Sequence, residues 1–265
     1  MRRSPTTVLA LTLASLALAS VAFATPTPNS AVIHTRVFDD CPISVLSTTN
    51  LFPGLIQIND QNDVPPFCAG FANLHTWRFS TDGVNPIQFL NGDTFEYSAT
   101  LVLNGIGEGG LNLSPWWSPD ADGLFNVRTT DGEIACFGGR MPFFTFTGAF
   151  GLHYVNNTPI QLGITYFPRS LTSADPAQVV YNLRYNSINY TSGLLNFDQG
   201  NPLEDPPHGQ WGALNPWYAG GHVKMFVQTI NQPHGITATW TDIQYTSGPT
   251  PTQTSTWGRV KQTYR

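Results

Sequence analysis

Residues 107–147 constrain this chain more than any other stretch. Leu111 and Leu113 alternate with polar neighbours, and an irregular Trp-Trp-Ser-Pro-Asp-Ala-Asp segment follows. Then Leu124–Thr129 and Glu133–Phe137 flank Asp131-Gly132. An Asp-Gly pair between two alternating runs marks a two-residue hairpin turn, because both of its residues tolerate the positive φ that the turn requires. Such a turn sets Thr129 opposite Ile134, Val127 opposite Cys136 and Phe125 opposite Gly138. Side chains alternate across a strand, so Phe125, Val127, Ile134 and Cys136 share the expected core face, with Asn126, Arg128 and Ala135 on the other.

Period-two alternation extends along the chain. Phe95, Tyr97, Ala99, Leu101 and Leu103 alternate with Glu96, Ser98, Thr100 and Asn104, which reads as a long strand with one oily face and one wet face. Ile160–Tyr166, Val179–Tyr185 and Val223–Val227 alternate in the same way, and Ile188–Tyr190 follows a tight connection. Val32–Phe38, Leu55–Asn59, Trp77–Ser80, Phe144–Thr147 and His153–Val155 read as further strands. In the closing run Ile236, Ala238 and Trp240 keep one phase, while Ile243 and Tyr245 take the other, which predicts a bulge at Thr241-Asp242. About a dozen strands, almost no helical period and no internal repeat predict an all-β chain. Its expected form is an antiparallel two-sheet β-sandwich.

The chain divides into four parts. Residues 1–24 read as a signal peptide: Arg2-Arg3, an apolar Leu/Ala run, then a small-x-small site at Ala22-Phe23-Ala24. Residues 25–247 form the sandwich, 248–256 a Pro/Thr linker, and 257–265 a short basic and aromatic tail. The expectation is therefore a secreted or cell-surface protein whose mature part has no membrane-spanning segment. Only two lysines occur, Lys224 and Lys261, and the formal net charge is −5, so nothing suggests nucleic-acid binding. Of three cysteines, Cys136 falls on the hairpin core face and reads as a buried free thiol. Cys41 and Cys68, in Pro-rich stretches, are expected to pair.

Three pieces resemble the concanavalin A-like lectin/glucanase jelly roll. They are FEYSATLVLNG with the GGLNLSPWW after it, the G-x-F-x-V-R…DGEI hairpin, and the W-T-D-I-Q-Y strand after KMFVQ. The likeness spans about residues 31–247 and is one of strands and turns. It implies a jelly-roll sandwich and a superfamily holding sugar-binding modules, laminin-G-like domains and glycan-cleaving enzymes, among which fold alone does not choose. The tail is similar to W-G-x-x-K-x-x-Y-R endings of exported bacterial proteins. Its Trp257, Val260 and Tyr264 at helical spacing suggest a meeting with an export or surface component, against the plainer reading of a frayed end.

For function, the aromatics in irregular segments stand out. Trp116, Trp117, Trp211 and Trp217 lie outside the alternating strands, the last two in the period-free stretch 196–221. Indole faces stack on sugar C–H faces, and nearby polar groups bind hydroxyls. Asp120, Asp122, Asn126, Arg128, Glu204, Asp205, His208 and Asn215 are the candidate polar partners. The plainer reading is that the tryptophans plug the sandwich ends. No catalytic residue is assigned. None of the candidate acids Glu108, Glu133, Glu204 and Asp205 falls in the E-x-D-x-E strand pattern that glycan-cleaving members of this superfamily carry. No HExxH, GxSxG or CxxC occurs, and six histidines are scattered, so no catalytic metal is expected. Asp120 and Asp122 offer oxygens to calcium, although a solvated Asp-x-Asp turn is the commoner case. The expectation is a non-catalytic module binding a glycan or another surface partner. A glycan-cleaving enzyme and a purely structural extracellular protein are the rivals.

Overall fold

The computed structural model describes residues 27–37, 44–62, 73–89, 93–113, 123–139, 141–197, 212, 223–229 and 234–249. In chain order the strands are β1 (Ser30–Arg36), β2 (Val45–Leu51), β3 (Leu55–Asn62), β4 (Leu74–Ser80), β5 (Asp93–Gly105), β6 (Gly107–Leu113), β7 (Gly123–Arg128), β8 (Ile134–Phe137) and β9 (Phe144–Thr145). A one-turn helix α1 (Phe146–Phe150) follows. After it come β10 (Ile160–Phe167), β11 (Gln178–Tyr185), β12 (Ile188–Thr191), β13 (Leu195–Asn196), β14 (Val223–Thr229) and β15 (His234–Pro249).

They form two antiparallel sheets packed as a sandwich. One has the order β1-β4-β14-β6-β7-β8-β9 and the other β12-β11-β10-β5-β15-β3-β2, with β13 beside β11. The inward phases of both meet in one apolar layer. Phe95, Tyr97, Ala99, Leu101 and Leu103 of β5 are at most 1% exposed, while on the other phase Glu96 and Asn104 are exposed and Ser98, Thr100 and Val102 half-buried. Phe125, Val127, Ile134 and Cys136 are fully buried, as the alternation requires, and Cys136 is a free thiol. Trp240 crosses the layer and donates its Nε1 to Gly110 O at 3.2 Å, and Tyr97 OH donates to Asn112 O at 3.0 Å.

The hairpin register differs from the expected one. Val127 pairs with Ile134 and Phe125 with Cys136, so the loop holds four residues, not two. Gly132 alone in this loop takes positive φ, at 76°. Arg128 N donates to Glu133 O, which closes the loop, while Thr129 N and Oγ1 both donate to Gly107 O on β6. Those bonds draw Thr129 to its other neighbour and off the hairpin ladder. The slip is two residues, an even number, so every side chain keeps its face.

Other departures have equally local causes. His153–Val155 is not a strand: Tyr154 N donates to Gly132 O and Val155 N to Tyr185 OH, so no ladder is left to make. Phe144–Thr147 pairs for only two residues, because Thr145 Oγ1 then accepts from Gly148 N and caps α1. β2 carried no alternation, since all seven of its residues are exposed at the sheet edge. The bulge appears where it was expected, between Thr241 and Gln244, with Asp242 at φ 50°. Among the described residues, no helix is long and apolar enough to cross a membrane.

The two phases of β5 make opposite predictions. Leu101→Ala should cost about 3 kcal/mol in urea unfolding, as for a fully buried leucine. Val102→Ala, half-buried on the outer face, should cost less than about 1 kcal/mol. Equal costs would contradict the sandwich.

Candidate functional site

The two tryptophan-bearing segments attach to neighbouring strands. β14, β6 and β7 are adjacent, and Val223 pairs with Leu113, which pairs with Gly123. Residues 114–122 therefore leave and rejoin the sheet on the row where residues 198–222 end. Gly212, one residue after Trp211, is buried, and a side chain there would meet Leu171, the Tyr166 hydroxyl and Ala177. Tyr166 stacks on Phe95 with ring centroids 5.1 Å apart, and Phe95 lies two residues before Tyr97, whose hydroxyl reaches Asn112 O. All of these points belong to one end of the sandwich. Trp116, Trp117, Asp120, Asp122, Glu204, Asp205, His208, Trp211, Asn215 and Trp217 themselves lie outside the described residues, as do Cys41, Cys68 and the 257–265 tail.

From that end to the opposite one, the outer face of the seven-stranded sheet is polar and yet buried. Arg78, Lys224 and Asn112 form one cross-strand row, and Gln228, Glu108 and Arg128 lie on a row parallel to it. Lys224 is 1% exposed, and Asn112 and Asn126 no more than that. Asn126 and Ala135, read from sequence as facing away from the core, do so, but they are buried rather than wet. Leu74, Leu124 and Phe226 form a small second apolar cluster on this face.

Asn126 and Arg128 are the two predicted ligand-binding residues within the described part, and both already have partners. Asn126 Nδ2 donates to Glu108 Oε2 at 2.8 Å, while its own Oδ1 is buried without a hydrogen bond. Arg128 donates Nε to Asp131 Oδ1 at 2.9 Å and Nη2 to Asp131 Oδ2, and Nη2 also meets Glu133 Oε2 at 2.6 Å. The guanidinium holds the Asp131 carboxyl down at about 2. Burial pushes Glu108 up, against the donor of Asn126 and the charge of Arg128.

A carboxyl that keeps its proton is what a general acid needs. Glycoside hydrolysis also needs a second carboxylate facing it across the substrate. Around Glu108 the nearby acids Asp131 and Glu133 are bound to Arg128, which makes them turn anchors.

Sequence spacing did not reveal a second polar cluster. His75 Nε2 meets Asp60 Oδ2 at 3.2 Å and Ser44 Oγ at 3.1 Å, and Nδ1 meets Thr35 Oγ1 at 2.9 Å. Asn73 Nδ2 also donates to Ser44 Oγ. His75 and Asp60 are at most 1% exposed and come from opposite sheets, so the pair ties the layers together. The signal was present in the sequence. Asp60 follows Ile56 and Ile58 in phase, and His75 precedes Trp77 and Phe79 in phase, so each is a polar residue at an inward position. Among the described residues, no group of His, Cys, Asp and Glu could hold a metal ion. The Asp120/Asp122 calcium reading lies outside them.

Glu108 gives a pH test with a definite sign. Its folded-state carboxyl prefers the proton, so its ionisation costs stability as pH rises from its ordinary value of 4.5 through its folded value. Glu108→Gln removes that cost while keeping an acceptor for Asn126. Thermal melts should show the variant more stable than the parent at pH 8 and equal to it near pH 4. A variant less stable at pH 8 would show that the ionised carboxylate is held by attraction.

No protein-family model matches this chain, and no curated protein matches it either.

Proposed function

We propose that the chain is an exported, non-catalytic carbohydrate-binding sandwich of the concanavalin A-like jelly-roll type. Its site lies at the end where β6, β7 and β14 carry the two tryptophan-bearing segments. The supporting observation is the shared row Leu113–Gly123–Val223, which anchors stretches far apart in sequence side by side. Trp116, Trp117, Trp211 and Trp217 supply stacking faces for sugar rings. Asp120, Asp122, Glu204, Asp205, His208 and Asn215 bind hydroxyls; Asn126 and Arg128 stand three and five positions along β7 from Gly123, held by Glu108 and Asp131, and take no part. Calcium, if used, is held by Asp120 and Asp122, and residues 257–265 engage an export or surface component.

Glycan arrays and tryptophan-fluorescence titration test this reading. At least one glycan should bind, and Trp116→Ala with Trp217→Ala should weaken it at least tenfold without lowering the melting temperature. Silence on every glycan would refute it. The rival reading, a glycan-cleaving enzyme, draws on the raised Glu108. Reducing-sugar release that Glu108→Gln or Glu204→Gln abolishes would favour it.

Export also carries the Cys41–Cys68 disulfide. Arg36 pairs with Leu74, Ser44 meets Asn73 and Val45 pairs with Gln61, so the described chain flanking one cysteine is held against that flanking the other. The bridge should contribute roughly 3–4 kcal/mol in the chain-entropy picture. A non-reducing digest should contain a Cys41–Cys68 peptide, and reductant should lower the melting temperature. A Cys68–Cys136 peptide would reverse the assignment.

A further inference from the structure

The outer face of the eight-stranded sheet is rich in Thr, Gln and Asn, and over much of it those side chains satisfy one another. Gln57 Nε2 donates to Thr239 Oγ1, Gln61 Nε2 and Thr237 Oγ1 both donate to Asn59 Oδ1, and Gln178 Nε2 donates to Asn196 Oδ1. One strip differs. Thr191, Asn182, Gly163, Ser98 and Gln244 form a single row across β12, β11, β10, β5 and β15. Arg184, Gln161 and Asn189 bank it on one side and Glu96 on the other. Among the described residues, the side chains of Glu96, Gln161, Asn182, Arg184, Asn189 and Gln244 make no hydrogen bond to one another or to any neighbour.

Gly163 brings no side chain to the middle of the row, so the row is the floor of an open trough of about 450 Å³. It crosses five strands, which at the usual inter-strand spacing makes it roughly 19 Å long. Each amide offers two donors and an acceptor. That inventory matches an array of hydroxyls, which both donate and accept. One guanidinium and one carboxylate cancel, so the trough favours neither a polyanion nor a polycation. Tyr190 pairs with the inward Leu183 and packs against the core beside Phe150, so no aromatic ring of the described residues faces the trough.

We propose that this trough binds a neutral oligosaccharide lying across the strands. It is a second carbohydrate site, on the opposite sheet from the tryptophan-bearing segments. The ligand class rests on the carbohydrate-binding reading above; the location does not. Recognition here comes from hydrogen bonds.

Gly163 also supplies the test. A Cβ there would lie 3.5 Å from Ser98 Cβ and 3.7 Å from Asn182 Cβ, which is ordinary contact. Gly163→Val therefore fills the trough with a residue suited to a strand and leaves the backbone in place. The side-chain amide signals of Gln161, Asn182, Asn189 and Gln244 are followed by NMR in the exported chain. The titrants are cellohexaose, laminarihexaose, xylohexaose and mannohexaose, with hexagalacturonate as the polyanion. At least one neutral hexamer should move these signals. Gly163→Val should weaken its binding at least tenfold with an unchanged melting temperature, and Trp116→Ala/Trp217→Ala should leave the shifts intact.

Amides that stay still while tryptophan fluorescence responds would overturn the trough alone. So would shifts that persist in Gly163→Val, or a stronger response to hexagalacturonate than to every neutral hexamer. Amide shifts with silent tryptophans would support the trough and remove the first site. Silence in both readouts would overturn both.

Discussion

The shared apolar layer between the sheets sets the position of everything else. Its middle is aromatic and tightly keyed. Phe79 packs edge-on against Tyr97, with centroids 6.2 Å apart, and Tyr245 lies within 5.7 Å of Phe79 and 5.0 Å of Phe89. Two bonds cross from the eight-stranded sheet to backbone carbonyls of β6, from Trp240 and Tyr97. Because β6 is central in its own sheet, these contacts fix the level at which its end, and so Leu113, stands over Phe95 and Tyr166. The placement of the tryptophan-bearing segments is a consequence of how that layer interlocks.

The two outer faces are used differently. On the eight-stranded sheet, neutral polar side chains stay in water and pair laterally, except along the trough at Gly163. On the seven-stranded sheet the outward residues are also polar, but they are covered, with Lys224 and Asn112 among the most buried side chains in the molecule. A buried charge is tolerated only with partners, so this face holds a connected polar layer. Within it, Glu108 accepts a hydrogen bond from Asn126 and, desolvated by burial, holds its proton more tightly than an ordinary glutamate.

Polar groups inside the sandwich serve placement as well. Asp60 and His75 occupy inward positions that hydrophobic residues would fill with less desolvation cost. Their bond, with Ser44 and Thr35 attached, joins the next-to-edge strand of one sheet to the next-to-edge strand of the other. Such a pair is weak evidence for added stability. It does fix which strand faces which, because a register slip would bury both groups alone.

The sequence by itself determined which side chains go inward. Alternation in β5, β10, β11, β14 and β15 follows directly from burying one face of a pleated strand, and the Thr241-Asp242 phase change marked the bulge. It was silent where no face is buried, as in β2, and misleading where side chains replace the ladder, as around Tyr154. Only the tertiary structure decided which strands become neighbours. Leu113, Gly123 and Val223 meet because β14 inserts between β4 and β6, a pairing between residues more than a hundred positions apart. Likewise Glu108 meets Asn126, and Asp60 meets His75, across strands. Period-two pattern records the face of a residue, while hydrogen-bonded order across a sheet depends on how whole strands pack, and that is where both candidate sites are made.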